Sequence, residues 1–308
     1  MKVPMDCKKG SPNPNACIYW CETCRFGQVL PMPSIEQVSK HYELETYYTQ
    51  GASHFVEAGR GSFFDRLRVH VAWRLDKGRP ISAAFIHGVL SGKVADIVDV
   101  GCGGGDLSRE LVRLGHRVVG VEVDPNSVSR QAGLEFDVYA GTAENLPAEV
   151  ADRKFDCVIM SHVLEHCRDP LAALKNARAL LRPGGRFICE VPNNDALALE
   201  DQGCSWEMFD APRHLSFFTR KSLTNALERS GFKTVMANHG YFCRQFDNSW
   251  IETERKLWRN LMSGTEKPSP LPMQNSRLRA WKLLARSFFA SADRRYDSIS
   301  AVAVAASN

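Results

Sequence analysis

The chain has 308 residues, 44% of them hydrophobic and 24% charged. That excludes disordered, collagen-like and coiled-coil chains and leaves room for a large buried core. A net charge of +4 is too small to point to nucleic acid. No run of about eighteen apolar residues suggests a membrane span, and the first thirty residues lack the apolar segment of an export signal. A cytoplasmic enzyme is expected.

Residues 1–33 are rich in Pro, Gly and Cys. Cys21 and Cys24 form a C-x-x-C, with Cys17 and Cys7 upstream. Zinc takes four tetrahedral N or S ligands, usually from two such knuckles. Here CKKG has Gly10 where a second knuckle would place its other Cys. A single structural zinc on Cys7, Cys17, Cys21 and Cys24 and a ribbon without metal both stay open. The other six cysteines stand in apolar runs such as FDCVIM and are expected in a reduced core.

SIEQ opens a helix near Ser34 as a capping box, running to about Tyr48. On it Tyr42, Tyr47 and Tyr48 are candidates to cover a pocket. A second helical region is expected over about 63–90, which makes 34–93 a helical cap. From Val94 onward β-branched runs alternate with helical patterns: ADIVDV, HRVVGVEV, FDCVIM, GRFICEV, FKTVMA and SISAVAVA. This predicts βαβ units, a largely parallel sheet and helices on both faces, spanning 94–308. A helical insertion at about 240–297 precedes the last strand.

ADIVDV runs into GCGGGDLSRELVRLG. Glycines at 101, 103 and 105 allow a sharp turn and close approach of a ligand. Glu122 stands 21 positions after Gly101, a spacing that suits a carboxylate on ribose hydroxyls. The dinucleotide fingerprint needs Gly at 106, where this chain has Asp106. With Asp99 also near, the loop suits a cationic ligand better than a pyrophosphate, which disfavours an NAD-dependent oxidoreductase.

VDVGCGGGDLSREL, VVGVEVDP, GTAENLP, FDCVIMSHVLEH and LRPGGRFICEVPN together resemble the successive motifs of class I S-adenosylmethionine-dependent methyltransferases. The resemblance covers roughly Val94 to Phe232, and SISAVAVAAS is similar to that fold's final antiparallel strand. It implies a Rossmann-like, seven-stranded, mostly parallel α/β sheet and S-adenosyl-L-methionine as cofactor. Asp99, Gly101, Gly103 and Gly105 would hold the methionine end. Glu122 would take the ribose, with Val123 beside the adenine. Thr142, Ala143 and Glu144 would meet the adenine edge, and Ser161 and His162 would close the site. Many members have Asp at the position of Thr142, so the adenine contact would pass to Glu144 or to backbone. The Cys-rich start resembles part of a zinc ribbon that precedes some such domains.

Methyl transfer to oxygen or carbon needs a proton removed. His162 ends the fourth strand, on the ligand-bearing edge. WEMFDAPRHLSFFT, residues 206–219, resembles a stretch of methyltransferases encoded with glycan-assembly enzymes. It makes His214 the leading base, with His162 second. Arg213 would receive an acidic acceptor or pair with Asp210. The expected acceptor is a small molecule, through a hydroxyl of a sugar, a lipid-linked glycan or another polar metabolite. An aromatic natural product and a non-catalytic cofactor-binding module are the alternatives. RLRAWKLLARSFF would put Leu278, Trp281, Leu284, Ala285 and Phe288 on one face, as a docking helix or, less simply, on an anionic membrane surface.

Overall fold

The computed structural model describes residues 3–12, 17–34, 36–38, 61–131, 135–269 and 271–306. Tyr42, Tyr47 and Tyr48 lie outside the described residues. The capping box before them forms: the Ser34 amide donates to Gln37 Oε1 at 2.8 Å, and the Gln37 amide to Ser34 Oγ at 3.2 Å.

Near the N-terminus two short strands, β1 (Met5–Asp6) and β2 (Ser11–Pro12), pair antiparallel. A hairpin follows, of β3 (Cys17–Cys21) and β4 (Phe26–Leu30). The region expected to be helical holds α1 (Phe63–Leu75) and α2 (Ala83–Val89). Then come β5 (Asp96–Val100), α3 (Asp106–Arg113), β6 (Arg117–Glu122), α4 (Pro125–Gln131), β7 (Asp137–Ala140), α5 (Ala148–Ala151) and β8 (Phe155–Ser161). They are followed by α6 (Pro170–Leu180), β9 (Leu181–Pro192), α7 (Leu197–Gln202), β10 (Ser216–Phe217), α8 (Arg220–Arg229) and β11 (Phe232–Gly240). The insertion carries α9 (Asn248–Ser263), α10 (Arg277–Phe289) and α11 (Ala292–Arg295) before β12 (Ser298–Ala305).

The main sheet has seven strands in the order β11-β12-β9-β8-β5-β6-β7. The β5–β6, β6–β7, β5–β8 and β8–β9 pairs are parallel. β12 runs antiparallel to both its neighbours, β9 and β11. β7 was not among the strand runs read from the sequence. It is a short edge strand of pattern DVYA, half exposed, and carries little β-branched signal.

Alternation along each strand splits the core into two layers. Val158, Met160 and Phe187 face α6 and α8, through Leu174, Ala177, Leu223 and Leu227. Ile97, Ile159, Ile188 and Val302 face α2 and α3, through Ile86 and Leu111. A third cluster gathers Met5, Ile18 and Val29 with Ala72, Trp206, Phe217, Phe246, Trp250 and Leu283. The Cys-rich start, α1, the 206–219 loop and the insertion therefore share one core. β10 pairs with β4, Ser216 opposite Gln28 and Phe217 opposite Gly27, giving a small sheet β10-β4-β3.

Candidate active site

The order of strands reverses at β5, whose neighbours β6 and β8 lead away in opposite directions. Ligands bind at the carboxyl ends of strands at such a point. There the chain turns through Gly101, Gly103 and Gly105, at φ +76°, +56° and +79°. A Cβ on Gly101 would stand 2.5 Å from Val163 Cγ2. Around Gly103 and Gly104 a Cβ would meet nothing within 4 Å, so the tip of the loop borders open space.

Two buried carboxylates organise this loop. Glu122 Oε2 accepts from the Gly103 amide at 2.7 Å, and Oε1 accepts from the Val123 and Asp124 amides at 2.9 and 3.0 Å. A carboxylate oxygen has two lone pairs, so Oε2 keeps capacity for a ligand hydroxyl. Asp99 accepts from the Ser108 hydroxyl at 2.6 Å, tying the first turn of α3 to β5. Burial pushes its carboxyl up to about 6; the Ser108 bond works against this and the Glu122 charge adds to it. Val123, at 58% exposure, presents an open apolar surface beside the loop. An open glycine tip flanked by two carboxylates and an apolar shelf fits a ligand with a cationic end, hydroxyls and a flat ring.

Across β6 and β7 the Thr142–Asn145 turn is closed on itself. The Asn145 amide donates to Thr142 Oγ1 at 2.9 Å, and Thr142 donates its own amide to the Asn145 carbonyl at 3.1 Å. Ala143 is buried. Glu144 Oε1 accepts from the Asp169 amide at 2.7 Å, just before α6. That structural bond uses the side chain expected at the adenine, and the Ala143 and Glu144 carbonyls are themselves taken by Asn176 Nδ2 at 2.9 and 3.0 Å.

At the end of β8, His162 has φ +55°, a conformation rare outside glycine and frequent at functional sites. Its amide donates to the Glu190 carbonyl at 2.9 Å. Its Nδ1 lies 3.1 Å from Glu165 Oε1. A carboxylate only accepts, so the proton is on Nδ1 and Nε2 carries the lone pair. Burial alone would lower the imidazolium pKa, but the bond to Glu165 and the charges of Glu165 and Glu190 outweigh it, and the pKa is raised. Facing His162 at 6.5 Å between ring centroids is Tyr241, also left-handed at φ +63°. Arg244 lies 4.1 Å above the Tyr241 ring and bonds Asp297 at 2.9 Å. Sequence reasoning missed Glu190, Tyr241 and Arg244. Glu190 lies within the LRPGGRFICEVPN motif without being marked as a site residue, no local motif marks Tyr241 or Arg244, and the sheet order brings all three to the side of His162.

The 206–219 loop docks on the turn after β8. The Leu215 amide donates to the Glu165 carbonyl at 2.7 Å, and His166 Nδ1–H donates to the Arg213 carbonyl at 3.1 Å. His214 is buried at 6% exposure and donates Nδ1–H to the Met208 carbonyl at 3.1 Å. Burial, helped by neighbouring His166, pushes its pKa down to about 3. Glu165, His166 and His214 bring one coordinating atom each within 4.8 Å, the one such group among the described residues. Arg213 is fully buried between Asp6 and Asp210, at 2.7 Å from each. Of its two expected roles the pairing with Asp210 is the one seen.

A model of the family described as "Methyltransferase domain" matches residues 77–237, just over half of the chain. The chain belongs to this methyltransferase family. It is similar to a ubiquinone biosynthesis O-methyltransferase of Cereibacter sphaeroides, 33% identical over 184 residues, which are 56% of this chain and 73% of that protein. A protein of the same name from Methylobacterium is 31% identical over 185 residues, again 56% and 73%. Among solved structures the [4+2]-cyclase SpnF aligns with a TM-score of 0.51 at 19% identity, over 90% of this chain and 97% of that one; this shows the fold alone. The protein is thus an S-adenosylmethionine-dependent methyltransferase, and its glycine crevice has the features the cofactor needs.

Two expectations for the methyltransferase need correction. Cys7, Cys17, Cys21 and Cys24 do not converge on one point. Cys17 and Cys21 stand at opposite ends of β3, about 13 Å apart at the usual rise. Cys7 is buried in the third core cluster with Cys204. Only the knuckle itself forms, with the Cys24 amide 3.3 Å from Cys21 Sγ at an exposed turn. The second correction concerns α10. Its buried face is Arg279, Ala280, Leu283, Leu284 and Ser287, while Leu278 and Phe288 are exposed. Arg279 is drawn in by Asp201 at 2.8 Å and by the Met273 carbonyl at 2.9 Å. No helix among the described residues is long and apolar enough to cross a membrane.

Proposed function

We propose that this methyltransferase methylates a hydroxyl of a small polar acceptor, such as a sugar, with His162 as the proton acceptor. The observation that carries this is the His162–Glu165 pair. The imidazole is held by Nδ1, its backbone is strained into the left-handed region, and it stands at the carboxyl edge of β8. The names of the O-methyltransferase relatives support oxygen as the atom methylated. His214 is a poorer base, because an imidazolium of pKa near 3 is too weak to retain a proton near neutrality.

S-adenosylmethionine, when bound, supplies a methyl group on a sulfonium that is open to in-line displacement. The protein's own tasks are alignment and proton removal. Asp99, through Ser108, and Glu122, through the Gly103 amide, fix the glycine loop. Glu122 Oε2 would take a ribose hydroxyl, and Val123 would cover the adenine. His162 Nε2 would accept the proton of the acceptor hydroxyl. Glu165 then stabilises the imidazolium.

A screen of hydroxylated acceptors, read by release of S-adenosylhomocysteine, identifies the substrate. On it, His162→Ala is expected to lower turnover about 10²–10⁴-fold with S-adenosylhomocysteine affinity unchanged by calorimetry. Full turnover in that variant would end the role of His162. Absence of cofactor binding to the wild-type protein would end the whole reading.

A further inference from the structure

β8, β9, β12 and β11 lie side by side, and their register places Ser161 opposite Glu190, Glu190 opposite Ser300, and Ser300 opposite Asn238. Directly paired residues carry their side chains on the same face of a sheet. The four residues therefore form a polar row across four strands. It lies one pleat beyond the apolar row Ile159–Ile188–Val302, nearer the carboxyl ends of β8 and β9 and next to His162.

Glu190 and Ser300 in the middle of the row are buried, at 0% and 3% exposure, while Ser161 and Asn238 at its two ends are half-buried. Yet neither oxygen of Glu190, nor the Ser300 hydroxyl, nor the Asn238 amide nitrogen has a hydrogen-bond partner. A buried carboxylate without a donor is strongly unfavourable, and the fold does not require one here, since the preceding row on the same face is Ile and Val. Arg244, the nearby cation, is engaged by Asp297 and stacked on Tyr241. Gly240 flanks the row: a Cβ there would stand 3.4 Å from Glu190 Oε1 and 3.1 Å from Pro80. A larger residue would crowd the carboxylate.

We infer that this row is the floor of the acceptor site, where Glu190, Ser300 and Asn238 hold a polyhydroxylated ring beside His162. The inference rests on the reading of His162 as the proton acceptor. The chemistry of the row selects the ligand class. Burial pushes the Glu190 carboxyl up to about 7; when ionised it only accepts, the Asn238 nitrogen only donates, and Ser300 does both. Hydroxyl groups, each donor and acceptor, satisfy all three at strand spacings of about 4.8 Å. An apolar ring satisfies none, and a phosphate would set its oxygens against the carboxylate. A file of buried waters is the competing occupant.

The test uses the full chain saturated with S-adenosylhomocysteine and saturation-transfer NMR with D-glucose, L-rhamnose and myo-inositol as probes at millimolar concentration. At least one probe is expected to receive saturation from the wild-type protein. Glu190→Gln should reduce that signal about tenfold, with S-adenosylhomocysteine affinity within about twofold. Its unfolding midpoint should be unchanged or higher, because the amide removes a buried charge. No saturation of any probe, or a signal that persists in Glu190→Gln, overturns the inference. So does a fall in midpoint for both Glu190→Gln and Glu190→Leu, the mark of a structural, water-held carboxylate. Failure of S-adenosylhomocysteine itself to bind would instead bring down the methyl-transfer reading beneath it.

Discussion

His162 and His214 are two imidazoles near one site that their surroundings push in opposite directions. His162 gains a carboxylate on Nδ1 and its pKa rises; His214 gains only a carbonyl and burial, and its pKa falls to about 3. A general base works in its neutral form, so kcat/KM should climb with pH through a limb above the ordinary 6.5 of histidine. Glu165→Gln removes the charge that raises His162 and should move that limb to lower pH. A pH profile of the variant with its limb in the wild-type position would remove Glu165 from the mechanism. His214 contributes differently. The folded protein refuses its proton down to about pH 3, whereas the unfolded chain takes it up near 6.5. Stability should therefore fall as pH drops below about 6.5, by this linkage. Urea unfolding at pH 7 and pH 5 should show a smaller difference for His214→Gln than for the wild-type chain. An equal difference would mean that His214 is not held neutral.

At the scale of elements, the Cys-rich start is a docking piece. The β3–β4 hairpin continues into β10, and a buried ionic cluster ties the β1–β2 segment to the 206–219 loop: Arg213 on Asp6 and Asp210, and Lys8 on Glu207 and Asp210, both at 3.0 Å. The cationic partners hold the Asp210 carboxyl far below the usual range. Arg213→Ala leaves two buried carboxylates short of their partner and should cost about 3–5 kcal/mol. Denaturant midpoints measure that loss; a change below about 1 kcal/mol would show that the cluster does not anchor the segment. Little of this was legible beforehand. The cysteines drew attention to metal, while a two-residue strand at 216–217 pairing with residue 27 has no periodicity to read. The buried face of α10 was missed for a related reason: it includes Arg279, paired with Asp201 in an ion pair between distant segments that the apolar pattern does not show.

Across the whole molecule, the legible part was what repeats locally. Strand runs predicted the parallel sheet that is seen, and one βαβ unit holds both the GCGGGD loop and Glu122, which are proposed to hold the cofactor. The polar row through Glu190 was not readable, since its members come from β8, β9, β11 and β12 and meet only when β12 is inserted antiparallel. The crevice can be tested with the two kinds of glycine the fold uses. Gly103 and Gly184 are both left-handed, at φ +56° and +78°, and a Cβ on either would meet nothing within 4 Å. Alanine at each should carry a similar backbone cost, about 1–2 kcal/mol. Only Gly103 borders the crevice. Gly103→Ala should therefore weaken S-adenosylhomocysteine binding about tenfold or more, roughly 1.4 kcal/mol, while Gly184→Ala is destabilised to the same extent with affinity intact. Equal affinities in the two variants would place the cofactor somewhere other than over the glycine loop, and with it the alignment of the methyl group toward His162.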